Sequence, residues 1–332
     1  MAEVAGVDVE LYMRSLLGGF FRGDTVRQMM QVSREVFFSA SDCLYRQGAP
    51  PQFVYFLVDG EVHLETEDAE PWSFDGGDIV GVLDADSAAA HRRTAIARTD
   101  VHALALAVRD WHDIQEDNLE MVRLRLLGNA RNLLGRGLSL TPTLGLPQVV
   151  SVGAPPSLVT QMDLDSELNA FERLLSLRLA PAFALAGTQS LLELAQEARE
   201  VRRGPGEILF EEGEEATHAF VNVTGVVSLE REATQVTAQF GPTTLVGGYL
   251  GLGQVTYPVR ARAESEVVAM EIEVSHLFEV MEDHYDLVRA VMAFMANERM
   301  RVQDAAPPVA NPKRHPVATV PKATSGSEDL PR

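Results

Sequence analysis

The chain has 332 residues, enough for two domains of about 100–150 residues each. Apolar residues make up 46% of the sequence and charged residues 23%, a balance that lets each half bury its own core. The formal net charge of −20 argues against nucleic acid and anionic membrane surfaces as partners, because binding to phosphate groups depends on Lys and Arg.

The first unit, residues 8–135, begins with a helical pattern and continues with strands. Apolar residues recur at helical spacing from about residue 8 to 32. Over 35–108 the pattern changes to short apolar runs separated by Gly, Asp and Pro, which is typical of short strands. Gly60 follows an aspartate between two such runs and predicts a tight hairpin turn. A helix is predicted over 111–134.

The segment 136–157 is rich in glycine and proline, starting from Gly135, and predicts a linker between two domains. The second unit, 158–303, opens with helical patterns up to about residue 199 and continues with short strands over 200–272. The tail, 304–332, is predicted to be disordered, because it offers few large apolar side chains to bury.

A terminal helix is predicted over 275–303. It carries an apolar stripe at helical spacing, formed by Leu287, Val288, Val291, Met292 and Met295. The stripe could pack on the strands of its own unit, on the matching helix 111–134, or across the axis of a homodimer. Such a homodimer could form through helix 111–134 or helix 275–303.

The only cysteine and the N-terminus suggest where the chain works. Cys43 forms no internal disulfide and is expected to be a small buried side chain. Residues 1–10 lack the features of a secretory signal, and no apolar run approaches the ~18–20 residues of a membrane span. We therefore expect a cytoplasmic protein without membrane insertion.

The two units repeat one pattern. The interval is 165 residues in three pairs and 166 in a fourth: Glu35 with Glu200, Gly48 with Gly213, Gly60 with Gly225, and Gly81 with Gly247. An interval that stays constant over so long a segment indicates two copies of a domain rather than short solenoid repeats.

Residues 77–81, Gly-Asp-Ile-Val-Gly, resemble the start of the phosphate-binding cassette of the cyclic nucleotide-binding domain. Residues 207–213, Glu-Ile-Leu-Phe-Glu-Glu-Gly, resemble the strand-and-turn segment of the same family, which includes catabolite activator proteins and protein kinase A regulatory subunits. The resemblance implies a mainly β fold with flanking helices, in two tandem jelly-roll (β-roll) domains. Only the tail follows residue 303, so we expect no helix-turn-helix.

The resemblance also implies two ligand contacts in each cassette. A Glu directly after the second glycine accepts the ribose hydroxyl, and an Arg about ten or eleven residues later binds the cyclic phosphate. In the first copy Val82 stands at the Glu position, and the Arg position falls near His91, Arg92 and Arg93. The candidate ligand-binding residues are Gly81, Val82, Leu83, Arg92, Arg93 and Thr94.

The second cassette departs further from the family pattern. Gly248 stands at the Glu position, and Tyr257 or Pro258 stands at the Arg position. We interpret it as a degenerate cassette formed by Gly247, Gly248, Tyr249 and Arg260. The residues that remain allow a cyclic nucleotide in domain 1 only, and they imply no other cofactor.

Other chemistry finds little support in the sequence. It contains no His-x-His pair, no cysteine pair, no P-loop and no nucleophile elbow, which argues against a metal site and against an enzyme. The leading interpretation is a non-enzymatic regulatory or adaptor protein with a protein partner. One alternative is a sensor whose first domain binds a cyclic nucleotide or another small phosphorylated ligand through Arg92 or Arg93. Another is a structural component of a larger assembly.

Overall fold

The structure is a computed structural model, and it describes residues 23–67, 69–139, 166–231, 236–246, 252 and 256–305. Of the predicted first helix, only its final part is described, and this part is helical. The segment 140–165, the cassette residues Gly247, Gly248 and Tyr249, and the tail beyond 305 lie outside the described residues.

The first unit contains four helices and eight strands within the described residues. In chain order they are α1 (Gly23–Val32), β1 (Arg34–Phe38), β2 (Cys43–Tyr45), β3 (Phe53–Asp59), β4 (Glu61–Thr66), β5 (Ala69–Asp75), β6 (Ile79–Val80), α2 (Val82–Ser87), β7 (Thr94–Ala97), β8 (Val101–Ala107), α3 (Val108–Glu116) and α4 (Leu119–Ser139).

The described part of the second unit repeats this order after two leading helices. Its elements are α5 (Ala170–Leu179), a 3-10 turn (Pro181–Phe183), α6 (Thr188–Glu197), β9 (Arg199–Arg203), β10 (Ile208–Phe210), β11 (His218–Thr224), β12 (Val227–Arg231), β13 (Val236–Phe240), β14 (Leu245–Val246), β15 (Arg260–Ala263), β16 (Val267–Glu273), α7 (Val274–Asp283) and α8 (Tyr285–Ala305).

Each unit folds into two four-stranded antiparallel sheets, and the strand order is the same in both. The first unit has the orders β1-β8-β3-β6 and β2-β7-β4-β5, and the second has β9-β16-β11-β14 and β10-β15-β12-β13. Alternating apolar side chains from the two sheets fill each roll, among them Leu57, Val62 and Ala103 in the first roll. The predicted fold, two tandem β-rolls with flanking helices, is confirmed.

Gly60 and Gly225 carry the chain from one sheet to the other. Their φ angles are +95° and +84°, in the left-handed region that favours glycine. A Cβ on Gly60 would lie 2.4 Å from the Asp100 carbonyl oxygen, and one on Gly225 would lie 2.1 Å from that of Glu266. The predicted hairpin is wrong, because the strands on either side of each glycine pair within different sheets.

Both predicted C-terminal helices of the units are interrupted. In the first unit, Asp117 and Asn118 separate α3 from α4, and the Asn118 side-chain amide donates to the Ile114 carbonyl at 2.8 Å. In the second unit, His284 separates α7 from α8 with φ −133° and ψ 87°. The two breaks lie at matching places of the repeat.

Helices α4 and α8 also run beyond their predicted ends. Helix α4 continues through Gly135 and Gly137 to Ser139, so the prediction that regular structure stops at Gly135 is wrong. The buried side chains of Ala130 and Leu133 anchor this end of the helix, and such packing outweighs the low helix propensity of glycine. Helix α8 ends at Ala305, so Asp304 is helical rather than part of a tail.

The apolar stripe of α8 is buried inside the chain. Met295 belongs to the same apolar cluster as Val122 and Leu126 of α4, together with side chains of α5, α6 and α7. Helix α8 also packs against the short helix α2 of the first unit. The same cluster includes Met270 and Ile272 of β16, so the stripe packs on the matching helix of the first copy and also on its own unit. This packing covers the stripe, and a homodimer through other faces of the two helices stays a prediction.

Two smaller observations complete the fold. Cys43 is half-buried rather than buried, and its thiol donates to the Tyr45 carbonyl at 3.2 Å. Within the described part of the chain, no helix combines the length and the apolar character needed to cross a bilayer.

Candidate functional site

The first cassette runs from Gly81 to Thr94. Gly81, with a φ of +83°, precedes α2, and Val82 is the first residue of that helix. The Val82 side chain packs against the apolar cluster that contains Met29 and Trp111. The position where the resemblance implies a ribose-binding Glu therefore contributes to the core.

Three side chains fill the space at the far end of this cassette. His91 stacks on Tyr45 of β2 with ring centroids 3.6 Å apart and planes 9° apart. Its Nδ1 lies 2.8 Å from the Asp84 carboxylate, and both side chains are buried. The Tyr45 ring also lies against Gly81, where an added Cβ would be 3.6 Å from it. Burial raises the pKa of the Tyr45 hydroxyl well above its usual value, and Asp84 raises it further.

The second roll has an aromatic pair at the same place. Tyr257 stacks on Phe210 of β10 with centroids 3.8 Å apart and planes 17° apart. Its hydroxyl donates to the His218 carbonyl at 2.7 Å. Burial raises the pKa of Tyr257 to about 12, so the phenol is neutral at physiological pH.

Backbone hydrogen bonds show that His91 and Tyr257 are equivalent positions. Each residue accepts one bond from a glycine and donates one to the residue after that glycine. The four bonds are Gly48 N to His91 O at 2.9 Å, His91 N to Ala49 O at 2.9 Å, Gly213 N to Tyr257 O at 2.8 Å and Tyr257 N to Glu214 O at 2.8 Å. Both copies thus hold a stacked aromatic ring within the stretch where the resemblance implies a phosphate-binding arginine.

Arg93 is buried beside this stack but is engaged elsewhere. Its guanidinium carbon lies 4.2 Å above the Trp72 ring. The guanidinium donates to the carbonyls of Leu64 at 3.3 Å and Glu70 at 2.8 Å, and to the Asp304 carboxylate at 2.8 Å. The carboxylate comes from the last turn of α8, so the second unit supplies the counter-charge of this arginine.

The other predicted residues of the first cassette do not converge on one ligand position. Arg92 is exposed and donates to the Asn297 side chain of α8 at 2.8 Å. The Thr94 hydroxyl accepts a hydrogen bond from the backbone amide of Gln47 at 3.1 Å. Leu83 lies in α2 and is half-buried. Gly81 and Val82 begin the helix, whereas Arg92 and Arg93 both reach towards α8.

Arg260, the predicted basic residue of the second cassette, lies on the surface. It is exposed at the start of β15 and pairs with Glu211 at 2.5 Å. Its neighbour Arg262 pairs with Glu230 and Glu264. Both guanidinium groups therefore have carboxylate partners on the outside of the roll.

A buried polar network lies below the first cassette, and the sequence did not predict it. Asp86 of α2 accepts from the Trp111 indole at 3.1 Å and pairs with Arg125 of α4. Arg125 also bonds Gln115 and lies 4.5 Å above the Trp111 ring. The network joins α2, α3 and α4. The signal available in the sequence was the pair of carboxylates, Asp84 and Asp86, within the cassette.

The units also meet at His112 of α3 and Tyr285 of α8. The Tyr285 hydroxyl lies 3.4 Å from His112 Nδ1. Burial lowers the pKa of His112, and the charge of Arg289 lowers it further. Burial and the nearby Asp86 raise the pKa of Tyr285. Both side chains are therefore neutral at neutral pH.

This environment makes His112 a source of pH-dependent stability. Because the pKa of His112 is lower in the folded state than in the unfolded state, protonation favours unfolding. The part of the unfolding free energy that depends on neutral His112 is fully present above the ordinary histidine pKa of about 6.5 and is lost as the pH falls below it. Urea denaturation at pH 7.5 and pH 5.5 should show a smaller loss of unfolding free energy for His112→Gln than for the wild type. Equal losses in the two proteins would contradict this assignment.

The family model described as "Cyclic nucleotide-binding domain" matches residues 35–118 and 200–284. The two matches correspond to the two rolls and together cover about half of the chain. The chain belongs to the cyclic nucleotide-binding domain family. The predicted family is confirmed, with one match in each roll. Among curated proteins, no sequence matches it.

Within the described residues, no group of His, Cys, Asp and Glu side chains could hold a metal ion.

Solved structures with similar domains include regulatory subunits of protein kinase A. One is a mutant regulatory subunit of a cAMP-independent protein kinase A from Trypanosoma brucei, bound to cAMP in its A site, with 16% identity, coverage of 86% of this chain and 91% of that chain, and a TM-score of 0.32. Another is the regulatory domain of Toxoplasma gondii protein kinase A with cAMP, with 13% identity, coverage of 87% and 95%, and a TM-score of 0.32.

A shorter similar structure covers a single domain. It is a cyclic nucleotide-binding-like protein from Brucella abortus, with 27% identity, coverage of 33% of this chain and 98% of that chain, and a TM-score of 0.30. At TM-scores of this size, these similarities assign no ligand or partner to the present chain.

Proposed function

We propose that this chain is a non-enzymatic regulatory or adaptor protein whose two cyclic nucleotide-binding domains work without a bound cyclic nucleotide and act through a protein partner. The observation that supports this proposal is the stacked aromatic pair in each roll. His91 on Tyr45 and Tyr257 on Phe210 occupy equivalent places where the family pattern implies a phosphate-binding arginine.

The charge around the first stack argues in the same direction. A cyclic phosphate placed beside His91 would meet the Asp84 carboxylate, which is already within hydrogen-bond distance of the imidazole. Like charges at such short distances repel strongly in a site with little water. A phosphate ligand would therefore have to displace the aromatic stack and also overcome this repulsion.

The terminal helix supplies a second reason. In the structure, α8 packs on α2 and is joined to the cassette by Arg92 with Asn297 and by Arg93 with Asp304. These contacts join the second unit to the first cassette. We infer that the arrangement with α8 packed on α2 is the resting state of the protein.

Thermal unfolding with and without saturating cAMP or cGMP tests the proposal. A ligand at 100 times its dissociation constant stabilises a protein by about 2.7 kcal/mol, which such a measurement detects readily. We expect no change in melting temperature with either nucleotide. A saturable rise with cAMP or cGMP that disappears in Arg93→Gln would instead favour the ligand sensor.

The adaptor part of the proposal needs a separate experiment. The full chain, cross-linked and purified from its native cell, should retain the same protein partner whether or not cAMP or cGMP is added. Release of the partner by either nucleotide would contradict ligand-independent action. Recovery of the chain alone would contradict the adaptor role.

A further inference from the structure

Within the described residues, the guanidinium of Arg93 is a buried charge with one charged partner. Its side chain is 5% exposed, whereas that of Asp304 is 40% exposed. Its two other acceptors are the backbone carbonyls of Leu64 and Glu70, which satisfy one nitrogen and carry no net charge. A buried guanidinium requires a compensating anion, because it has lost its hydration. Among its described partners, only the Asp304 carboxylate provides one.

Asp304 occupies an unfavourable place in its helix. It lies in the last turn of α8, which contains no basic residue. The negative end of the helix dipole disfavours a carboxylate at a C-terminus. Arg93 offsets this effect, so the position of the carboxylate depends on the arginine. The last turns of helices also separate from their neighbours more readily than the middle does.

We propose that the Arg93 guanidinium, supported on the Trp72 ring, is an anion-binding site whose resident ligand is the Asp304 carboxylate. When the end of α8 moves away, the site takes a small ligand that carries a carboxylate or a phosphate group. The terminal nitrogen that now donates to Asp304, Nη2, can donate in the same way to either group. The site is separate from the cyclic phosphate position, which His91 fills in this chain.

Replacing the internal ligand tests the site. Asp304→Asn keeps the shape of the side chain and removes the competing charge. Melting curves of the full-length variant are compared in sodium phosphate, sodium acetate and sodium chloride at equal ionic strength. We expect saturable stabilisation by phosphate or acetate, at a concentration at least about tenfold lower than in the wild type, because the intramolecular carboxylate no longer competes. The stronger of the two anions identifies the ligand class.

Two further variants make the result specific. Asp304→Asn combined with Arg93→Gln should lose the anion response, whereas Asp304→Asn combined with Arg92→Gln should keep it. Arg92 is the matched control, because it is the adjacent arginine and its partner on α8 is the neutral Asn297. No response to either anion in Asp304→Asn, or an undiminished response without Arg93, would overturn the proposal.

Tryptophan fluorescence gives a second readout if a melting curve is ambiguous. The chain has two tryptophans, of which Trp111 is buried and Trp72 lies under Arg93. Phosphate should change the emission of Asp304→Asn saturably and should leave Trp72→Phe/Asp304→Asn unchanged. An equal change in both variants would contradict the site. Binding of cAMP to the wild type would contradict the proposed function without affecting this test.

Discussion

Replacing Asp86 by alanine is expected to destabilise the protein by about 3–5 kcal/mol. The Asp86 side chain is 1% exposed and pairs with Arg125, which is 12% exposed. Removing the carboxylate leaves a nearly buried guanidinium without its counter-charge and the Trp111 indole without its acceptor. Because α2, α3 and α4 meet at this network, we expect the whole first unit to lose stability.

Urea denaturation of the full chain measures this effect. Asp113→Ala is the control, because Asp113 of α3 pairs with Arg109 at 3.7 Å and both side chains are largely exposed. Such a surface pair contributes only about 0–1 kcal/mol. A double variant, Asp86→Ala with Arg125→Met, should recover part of the loss, since the uncompensated charge is gone. Equal effects of Asp86→Ala and Asp113→Ala would show that the network contributes little.

Replacing Gly225 by alanine is expected to cost about 3–4 kcal/mol of unfolding free energy. Alanine in a left-handed conformation costs roughly 1–2 kcal/mol, and Gly225 has a φ of +84°. In addition, the new Cβ would lie 2.1 Å from the Glu266 carbonyl oxygen, which is backbone and has to shift. The change should therefore disturb the crossing between the two sheets of the second roll.

The glycines of the repeat offer a matched control for this prediction. Gly213 has a φ of +92° but no atom within 4 Å of an added Cβ. Gly213→Ala should therefore show the conformational cost alone, about 1–2 kcal/mol. Gly60→Ala, with its Cβ 2.4 Å from the Asp100 oxygen, should resemble Gly225→Ala. Chemical denaturation that found Gly225→Ala no worse than Gly213→Ala would mean that the backbone there adapts freely.

The repeat and the β-rolls could be predicted because their signals are local. Apolar alternation and turn glycines recur at a constant interval, and each roll is filled mainly by its own strands. Apart from β4 with β5 and β12 with β13, the strands pair with partners that are not consecutive in the chain. Gly60 has the spacing of a hairpin, yet β3 pairs with β8 and β4 pairs with β7, far along the chain.

The candidate site was predicted in part. The sequence placed Val82 at the position of the expected Glu, directly after Gly81, because that position follows from the glycine pattern. The aromatic stacks were not predicted. His91 and Tyr45 are separated by most of a roll, and their contact depends on β2 lying beside β7. The role of Arg93 was likewise hidden, because its charged partner is 211 positions away.

Composition, periodicity and the internal interval were sufficient to predict two helix-flanked β-rolls, since such properties depend on neighbours in the chain. Only the tertiary structure shows that α8 packs against α2 and α4 and contacts Arg92 and Arg93 of the first cassette. The apolar stripe of α8 suits any complementary surface, and sequence periodicity contains no information about which surface lies opposite. Shape and charge complementarity between the units made that choice, through buried Met295 and the pairing of Asp304 with Arg93.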